Sequence, residues 1–318
     1  MPSHAPPEPL PAAIAPAPAT AGAPAAVYRC RHVTTYDYGE AVPLSHHLLH
    51  LVPRPHPRQR CRNSSLTVAP AASARADHTD YFGNPVTYVA VQEPHRRLTI
   101  AAEHVVEVLA PPPPALDASP PWEALRGALD RLCGPDDGAA IVQYAFDSTL
   151  VRSAPELAAY AAPSFTPGRP VAAAACDLMH RIHAEFAFDA TATTVATPLA
   201  EAMANRRGVC QDFAHILVGC LRAQRLPARY VSGYLRTLPP PGQPRLVGAD
   251  ASHAWASVWC GGDRWLDLCP TNDRVVDEDF ITLAWGRDYD DVSPMRGVLV
   301  GGAGHALTVE VDVEPLAG

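Results

Sequence analysis

The first third of the chain has the hydrophobic pattern of short antiparallel strands. Runs rich in Val, Thr, Tyr and Ile alternate with turn residues, and no helical period interrupts them. The runs cover residues 28–38, 65–68, 86–91 and 98–109. A turn signal, F-G-N-P, begins at Phe82. This pattern predicts a small antiparallel β domain over residues 28–110.

After a stiff proline-rich linker, predicted at residues 111–121, the apolar positions follow a helical period. Residues 122–132 and 171–186 are two candidate helices. The clearest helix covers residues 210–224, where one continuous apolar stripe predicts a buried face. The stripe consists of Phe213, Ile216, Leu217, Cys220 and Leu221.

Strand-like runs return after this helix. They cover residues 228–235, 252–259, 264–268 and 307–313. A helical layer followed by antiparallel strands predicts an α+β domain over residues 122–318. Residues 1–27 consist almost wholly of Pro, Ala and small polar residues, so a disordered tail is predicted there.

Charge and composition exclude several classes of partner. The chain has 318 residues and a formal net charge of −8, which argues against nucleic acid or an anionic membrane surface as partners. No uninterrupted apolar run reaches the ~18 residues of a membrane span. The N-terminal segment also lacks the basic and apolar regions of a secretory signal. A cytoplasmic protein is therefore predicted, and the sequence carries no signature of its oligomeric state.

The metal-binding residue types do not form a recognisable site. The eight cysteines are spaced irregularly and form no C-x-x-C pair, so neither a disulfide framework nor a zinc site is predicted. His46, His47 and His50 resemble a metal cluster, but no carboxylate or cysteine accompanies them at ligand spacing. We expect no metal and no cofactor, since no phosphate-binding glycine loop occurs either.

Three separate motifs carry candidate chemistry. Cys210 follows Gly208 at the start of a predicted helix, where unpaired amides and the helix dipole would lower the thiol pKa and hold an oxyanion. His253 begins a predicted strand, and Asp267 precedes a Pro-Thr-Asn turn, so an imidazole and a carboxylate could complete a nucleophilic site. Taken singly, these residues have plainer interpretations: an inert cysteine, a structural histidine and a buried structural aspartate.

The order of the motifs and their surroundings resemble the bacterial transglutaminase-like cysteine peptidase family of the transglutaminase-like superfamily. The similar segments of the second domain are residues 194–198, 206–215, 226–234, 252–255, 270–272 and 285–294. Those of the first domain are residues 32–36 and 82–84. The resemblance implies a papain-like α+β core, with the nucleophile at a helix N-terminus packed on an antiparallel sheet, and an N-terminal antiparallel β domain.

For the site, the resemblance implies that Cys210 is the nucleophile and His253 the base and later the acid. The substrate would be a peptide or protein amide, whose acyl group forms a thioester with Cys210. The family's third residue is an aspartate immediately before Pro-Thr-Asn, and Cys269 occupies that position here. Asp267 points to the same face of the strand, about 7 Å away, and is the candidate replacement.

Three functions follow from this sequence. The leading hypothesis is a thiol-dependent acyl-transfer enzyme that hydrolyses amide bonds, weakened or specialised by Cys269 rather than inert. The second is a transglutaminase, which transfers the acyl group to an amine. The third is a non-catalytic binding module with a degenerate triad.

Overall fold

The computed structural model describes residues 25–132, 139–237 and 251–316. Most of the predicted tail lies outside these ranges, as do Cys133 and residues 239–249. Residues 25–27, which the composition assigned to the tail, form the start of the first strand.

The N-terminal region consists of antiparallel strands, as its pattern predicts. They are β1 (Ala25–Val42), β2 (Leu44–Leu49), β3 (Gln59–Ala69), β4 (Ala74–Thr79), β5 (Pro85–Val91) and β6 (His95–Leu109). On β6, burial alternates residue by residue from Leu98 to Val108, because every second side chain points into the core. The predicted N-terminal β domain is therefore confirmed.

The remainder of the described chain combines helices with strands. The helices are α1 (Trp122–Leu132), α2 (Ala139–Val142), α3 (Pro155–Ala161), α4 (Val171–Glu185), α5 (Leu199–Asn205), α6 (Cys210–Ala223) and α7 (Tyr289–Val292). The strands are β7 (Ala187–Phe188), β8 (Arg207–Gly208), β9 (Ala228–Leu235), β10 (Ala251–Trp259), β11 (Trp265–Cys269), β12 (Arg274–Val275), β13 (Phe280–Gly286), β14 (Met295–Val300) and β15 (His305–Pro315). The helices predicted to start at residues 122, 171 and 210 begin at those residues.

Two four-stranded antiparallel sheets form the N-terminal region, in the orders β15-β1-β6-β3 and β14-β2-β5-β4. Strands β14 and β15 come from the C-terminal end of the chain, which the sequence-based division placed with the second domain. Strand β15 pairs with β1 from Tyr28–Pro315 to Tyr38–His305. The last residues of the chain therefore complete the N-terminal sheets.

The core sheet has five antiparallel strands in the order β12-β11-β10-β9-β13. Helices cover one face, where Phe213 and Leu217 of α6 join the large apolar cluster. The other face packs against the sheet β15-β1-β6-β3, where Tyr28 and Val313 belong to the same apolar cluster as Tyr234. Because both faces are covered, core strands such as β13 are buried almost throughout.

A cation–π contact joins the N-terminal region to the core. The Arg54 guanidinium lies 3.6 Å from the centre of the Trp285 ring, and it donates to Asn84 Oδ1 at 2.6 Å. Asn84 in turn donates to the Trp285 carbonyl and accepts from the Trp285 N–H. Gly83 has a φ of +80°, and a Cβ there would lie 2.9 Å from the guanidinium, so the turn requires glycine. The family-like motifs at residues 82–84 and 285–294 therefore pack against each other.

Several histidines of the N-terminal region are buried as neutral rings. His32, His47 and His104 are between 2% and 4% exposed, and burial lowers the pKa of each to about 4. In the unfolded chain such rings titrate near pH ~6.5. The unfolded state therefore binds more protons, so stability is complete above about pH 6.5 and is lost as pH falls toward 4.

We expect His47 to contribute to this acid sensitivity, because neither of its ring nitrogens has a hydrogen-bond partner among the described residues. His47→Leu should reduce the fall in the free energy of unfolding between about pH 6.5 and 4 by on the order of 2–3 kcal/mol. Urea unfolding at a series of pH values measures this. His78→Leu, at an exposed position, is the matched control. An identical fall in His47→Leu and wild type would contradict the explanation.

Candidate active site

Local contacts explain why helix α6 starts at Cys210. The Asp212 carboxylate accepts hydrogen bonds from the Val209 N–H at 2.8 Å and from the Thr193 hydroxyl at 2.6 Å. These bonds satisfy an amide at the helix start. A Cβ at Gly208 would clash with the same carboxylate, so glycine leaves room for the cap. The R-G-V-C-Q-D motif therefore holds Cys210 in the first helical turn.

The Cys210 thiol lies at the contact between α6 and the core sheet. Its sulfur faces the backbone N–H groups of Ala254 and Gln211, and both lower the thiol pKa. Burial has the larger effect and raises the pKa of Cys210 to about 11. The sequence-based expectation of a lowered pKa is therefore wrong. Removing water destabilises the thiolate by more than the helix dipole and the two amide N–H groups stabilise it.

His253 lies near the start of β10, opposite Gly233 of β9. Its ring lies beside the aromatic rings of Trp255 and Phe280, with centroid separations of 6.3 and 6.1 Å. Only 8% of the residue is exposed, and this burial lowers the pKa of His253 to about 4. The ring is therefore neutral at physiological pH. A Cβ at Gly233 would overlap the Trp255 ring, so this packing depends on glycine.

Two side chains face the Nε2 atom of His253. Cys269 Sγ lies 3.0 Å from Nε2, and Asn272 Nδ2 lies 3.2 Å from it. The same amide nitrogen lies 3.2 Å from Cys269 Sγ. Cys269 is fully buried, and burial raises its thiol pKa, so the thiol stays protonated at neutral pH. The position of the family's carboxylate thus contacts the imidazole but carries no charge.

Asp267 lies away from the imidazole. Its carboxylate is 3.9 Å from the Arg58 guanidinium. Burial lowers the pKa of Arg229, and the nearby Asp267 charge opposes that shift. The hydrogen-bond partners described for the His253 ring do not include this carboxylate. The structure therefore brings Cys210 and His253 to the same end of the core sheet but holds the predicted replacement acid among arginines.

Asn272 contacts the imidazole and was not predicted as a site residue. The sequence feature that could have identified it is the Pro-Thr-Asn turn, which follows β11 directly. This turn is fastened to α4, because the His183 ring donates to the Thr271 carbonyl at 3.1 Å and His180 bonds the Asp273 carboxylate. Asp273 has a φ of 53°, the left-handed conformation of a tight turn. The turn therefore delivers the amide to the ring.

A cavity of about 700 Å³ runs alongside α6. Gln211, the residue after Cys210, and His215 both line it. The His215 ring packs on Tyr230 at 4.8 Å and accepts the Tyr289 N–H at 3.2 Å. The other walls are largely apolar and include Leu150, Leu157, Val195, Pro198, Leu199 and Met203. This space beside α6 therefore suits an apolar group.

Within the described ranges, no group of three or more His, Cys, Asp or Glu side chains is arranged to hold a metal ion. The histidines of the segment 46–50 contact different partners. His46 contacts the Tyr88 hydroxyl at 2.6 Å, and His50 contacts the Asp80 carboxylate at 3.3 Å. Among the helices of the described ranges, none is long and apolar enough to cross a bilayer.

Comparison with known families assigns both parts of the chain. The bacterial transglutaminase-like N-terminal region matches residues 28–107, and the transglutaminase-like superfamily matches residues 159–270. The chain belongs to the transglutaminase-like superfamily. An uncharacterized protein of Mycobacterium tuberculosis is 42% identical to this transglutaminase-like protein over 299 residues, which cover 92% of this chain and 93% of that one.

Two further similarities concern proteins with descriptive names. A crystal structure of a candidate cysteine protease from Cytophaga hutchinsonii has a TM-score of 0.72 and 19% identity, covering 93% of this chain and 92% of that chain. At that identity it supports the fold alone. A protein-glutamine gamma-glutamyltransferase of Pseudomonas aeruginosa is 39% identical over 67 residues, 21% of this chain and 10% of that protein. The predicted fold class and family are confirmed, and the family is one of thiol-dependent enzymes.

We expect the Cys210 thiol of this transglutaminase-like protein to react slowly with iodoacetamide at neutral pH. With a pKa of about 11, its thiolate fraction and alkylation rate should rise about tenfold per unit between about pH 6 and 9. Timed alkylation with peptide mapping measures the rate, and Cys210→Ser identifies the peptide. A rate that levels off below about pH 7 would indicate a thiolate–imidazolium pair and contradict the neutral resting state.

Proposed function

We propose that the protein is a thiol-dependent enzyme that transfers the acyl group of an amide, with hydrolysis as its main reaction. Cys210 is the nucleophile, and His253 takes its proton and returns it to the leaving amine. The observation that carries this proposal is the position of the Cys210 sulfur beside β10, next to the residue that carries the imidazole. The Cys210 sulfur faces the N–H of Ala254, the neighbour of His253, while the far side of the imidazole is held by Cys269 and Asn272.

The reaction starts from a neutral pair. Because Nε2 of His253 faces Cys269 and Asn272, Nδ1 is the nitrogen that serves the thiol. As the Cys210 sulfur attacks the carbonyl carbon, the thiol proton moves to Nδ1. The C–N bond then breaks, the amine leaves with that proton, and the acyl group stays on the sulfur as a thioester. Water, deprotonated by Nδ1, cleaves the thioester to a carboxylic acid and the free thiol.

Backbone dipoles stabilise the negative charge that develops on the Cys210 sulfur as its proton leaves. The N–H groups of Ala254 and Gln211 face the sulfur, and the N-terminal end of α6 adds its dipole in the same sense. These interactions are stronger in a site that excludes water. Burial therefore has two effects: it keeps the thiol protonated at rest, and it strengthens the groups that stabilise the transition state.

The substrate we propose is a peptide or protein amide with an apolar side chain near the scissile bond. The cavity beside α6 supports this choice, because its walls are largely apolar and Gln211, the residue after Cys210, lines it. The reaction requires no cofactor. The net charge of −8 makes nucleic acid and anionic membranes poor partners, and the cytoplasm is the compartment we propose.

Transamidation is the second candidate function. The 67-residue similarity to a protein-glutamine gamma-glutamyltransferase favours it, since that name describes transfer of an acyl group to an amine. Both reactions share the thioester and differ only in whether water or an amine attacks it.

Turnover of an amide should depend on Cys210 and His253. We expect Cys210→Ala and His253→Ala each to lower the rate at least ~10³-fold, because the pair acts as a unit. Peptide amides with Leu, Phe or Asp at the acyl position serve as substrates, and ammonia and new carboxylates are quantified. Cys61→Ala, at a half-buried position on β3, is the matched control.

The products and the variants together separate the hypotheses. Products formed in water alone indicate a hydrolase, while an amine adduct that forms in preference to hydrolysis indicates a transglutaminase. Equal turnover by wild type and Cys210→Ala would contradict both enzymatic functions. Peptide binding without turnover would instead support a non-catalytic module.

Cys269→Asp should raise activity. A carboxylate about 3 Å from Nε2 would raise the pKa of His253 and stabilise the imidazolium that forms during attack. We expect at least a ~10-fold higher turnover rate, because loss of an orienting acid can cost up to about 10⁴-fold. Cys269→Asn is the uncharged control of the same shape, and thermal unfolding verifies that both variants fold. Lower turnover by folded Cys269→Asp would mean that the thiol has a role of its own.

A further inference from the structure

The His253 imidazole can serve Cys210 in only one of its two neutral tautomers. Nδ1 must be free of hydrogen to take the proton from sulfur, so Nε2 must carry the ring hydrogen. Because the ring is buried, that N–H needs an acceptor within the protein. The groups that face Nε2 therefore decide whether the resting site is competent.

Among the residues that the structure describes, two of the three candidate acceptors are poor. The Asp267 carboxylate lies beside the Arg58 guanidinium and is not among the ring's partners. The Cys269 sulfur is 3.0 Å from Nε2, but a thiol sulfur is a weak acceptor. Burial keeps this thiol protonated, so its own S–H also needs an acceptor.

The third group, the Asn272 amide, meets both needs. Its Nδ2 atom lies 3.2 Å from His253 Nε2 and 3.2 Å from Cys269 Sγ, so one outer atom of the amide faces both groups. An amide oxygen has two lone pairs, and the two neighbours offer two donors, the Nε2–H and the thiol S–H. One oxygen at this place would therefore satisfy both hydrogens.

The orientation of this amide selects the tautomer. With nitrogen toward the ring, as in the structure, Asn272 donates to Nε2 and favours the hydrogen on Nδ1, which leaves the Cys210 proton without an acceptor. A half-turn about the Cβ–Cγ bond brings Oδ1 to the same place with the same shape. Asn272 lies exposed at the rim of the site, so this rotation meets little hindrance.

We propose that Asn272 is the positioning residue of this site. Its side-chain oxygen takes the place of the family's carboxylate and holds His253 with the hydrogen on Nε2. This inference rests on the proposed function of Cys210 and His253. A neutral amide in this role is known in other thiol proteases. The turn that carries Asn272 is anchored to α4 through His183, which sets the distance of the amide from the ring.

The size of the expected effect follows from charge and exposure. An amide oxygen orients the ring but contributes no full charge, so it stabilises the imidazolium less than a carboxylate does. Water also reaches the exposed amide and competes for its hydrogen bonds. We therefore expect Asn272 to contribute about 10- to 100-fold to turnover, below the ~10⁴-fold that a buried triad carboxylate can provide.

The test uses the full chain with the variants Asn272→Ala, Asn272→Asp and Cys269→Ser. Asn63→Ala, at an exposed position on β3, is the matched control. Ring ¹⁵N NMR of histidine-labelled protein reads the tautomer of His253 without any turnover, and loss of the signal in His253→Gln assigns it. Peptide amide turnover is measured on the same samples.

We expect the wild type to hold the hydrogen on Nε2. Asn272→Ala should shift His253 toward the Nδ1–H tautomer and lower turnover about 10- to 100-fold, whereas Cys269→Ser keeps the tautomer and lowers turnover less. Asn272→Asp should retain the Nε2 hydrogen and raise the pH at which His253 titrates. Asn63→Ala should match the wild type in both measurements.

An unchanged His253 tautomer in Asn272→Ala would overturn the inference, and so would loss of the Nε2 hydrogen in Cys269→Ser alone. The proposed function fails separately. If no peptide amide is turned over but the tautomer still depends on Asn272, the positioning role stands and the enzymatic function does not. If Cys210→Ala abolishes turnover and Asn272→Ala leaves it unchanged, the function stands and the positioning role does not.

Discussion

The chemistry of this site depends on the desolvation of one imidazole. His253 is enclosed by Trp255, Phe280 and Cys269, so water cannot stabilise its charged form, and its pKa falls to about 4. The same exclusion of water raises the pKa of Cys210 to about 11. The proton therefore stays on sulfur in the resting site. A carboxylate at residue 269 would act against the lowered pKa of His253, and the neutral thiol there does not.

The rest of the fold maintains this enclosure. Helices cover one face of the core sheet, and the N-terminal sheet covers the other, where Tyr234 and Ile281 pack among residues of β1, β6 and β15. Strands β14 and β15 tie the C-terminal end of the chain to the first strands. Arg54 adds a contact on Trp285 at 3.6 Å. The N-terminal region is thus structurally continuous with the core that carries the candidate site.

Local sequence patterns predicted many of the helices and strands. The features that they did not predict depend on how distant parts of the chain pack. The period of α6 and the composition of β9 are visible in sequence, and both elements begin where predicted. Strand β13 is buried almost throughout and shows no alternation, so its pattern was not distinctive. The pairing of β15 with β1 joins opposite ends of the chain, which no local pattern encodes. For the same reason the pKa of Cys210 was expected to fall: a helix terminus can be predicted locally, whereas desolvation depends on packing. The contact of Asn272 likewise depends on the path of a turn.

The central claim is that Cys210 carries the acyl group during the reaction. Acid quenching of a reacting mixture, followed by intact mass measurement and peptide mapping, tests it most directly. A peptide amide substrate should add the mass of its acyl portion to the peptide that contains Cys210. Hydroxylamine should remove this adduct, and Cys210→Ala should not form it. Amide turnover with no adduct, or with an adduct on another residue, would contradict the account.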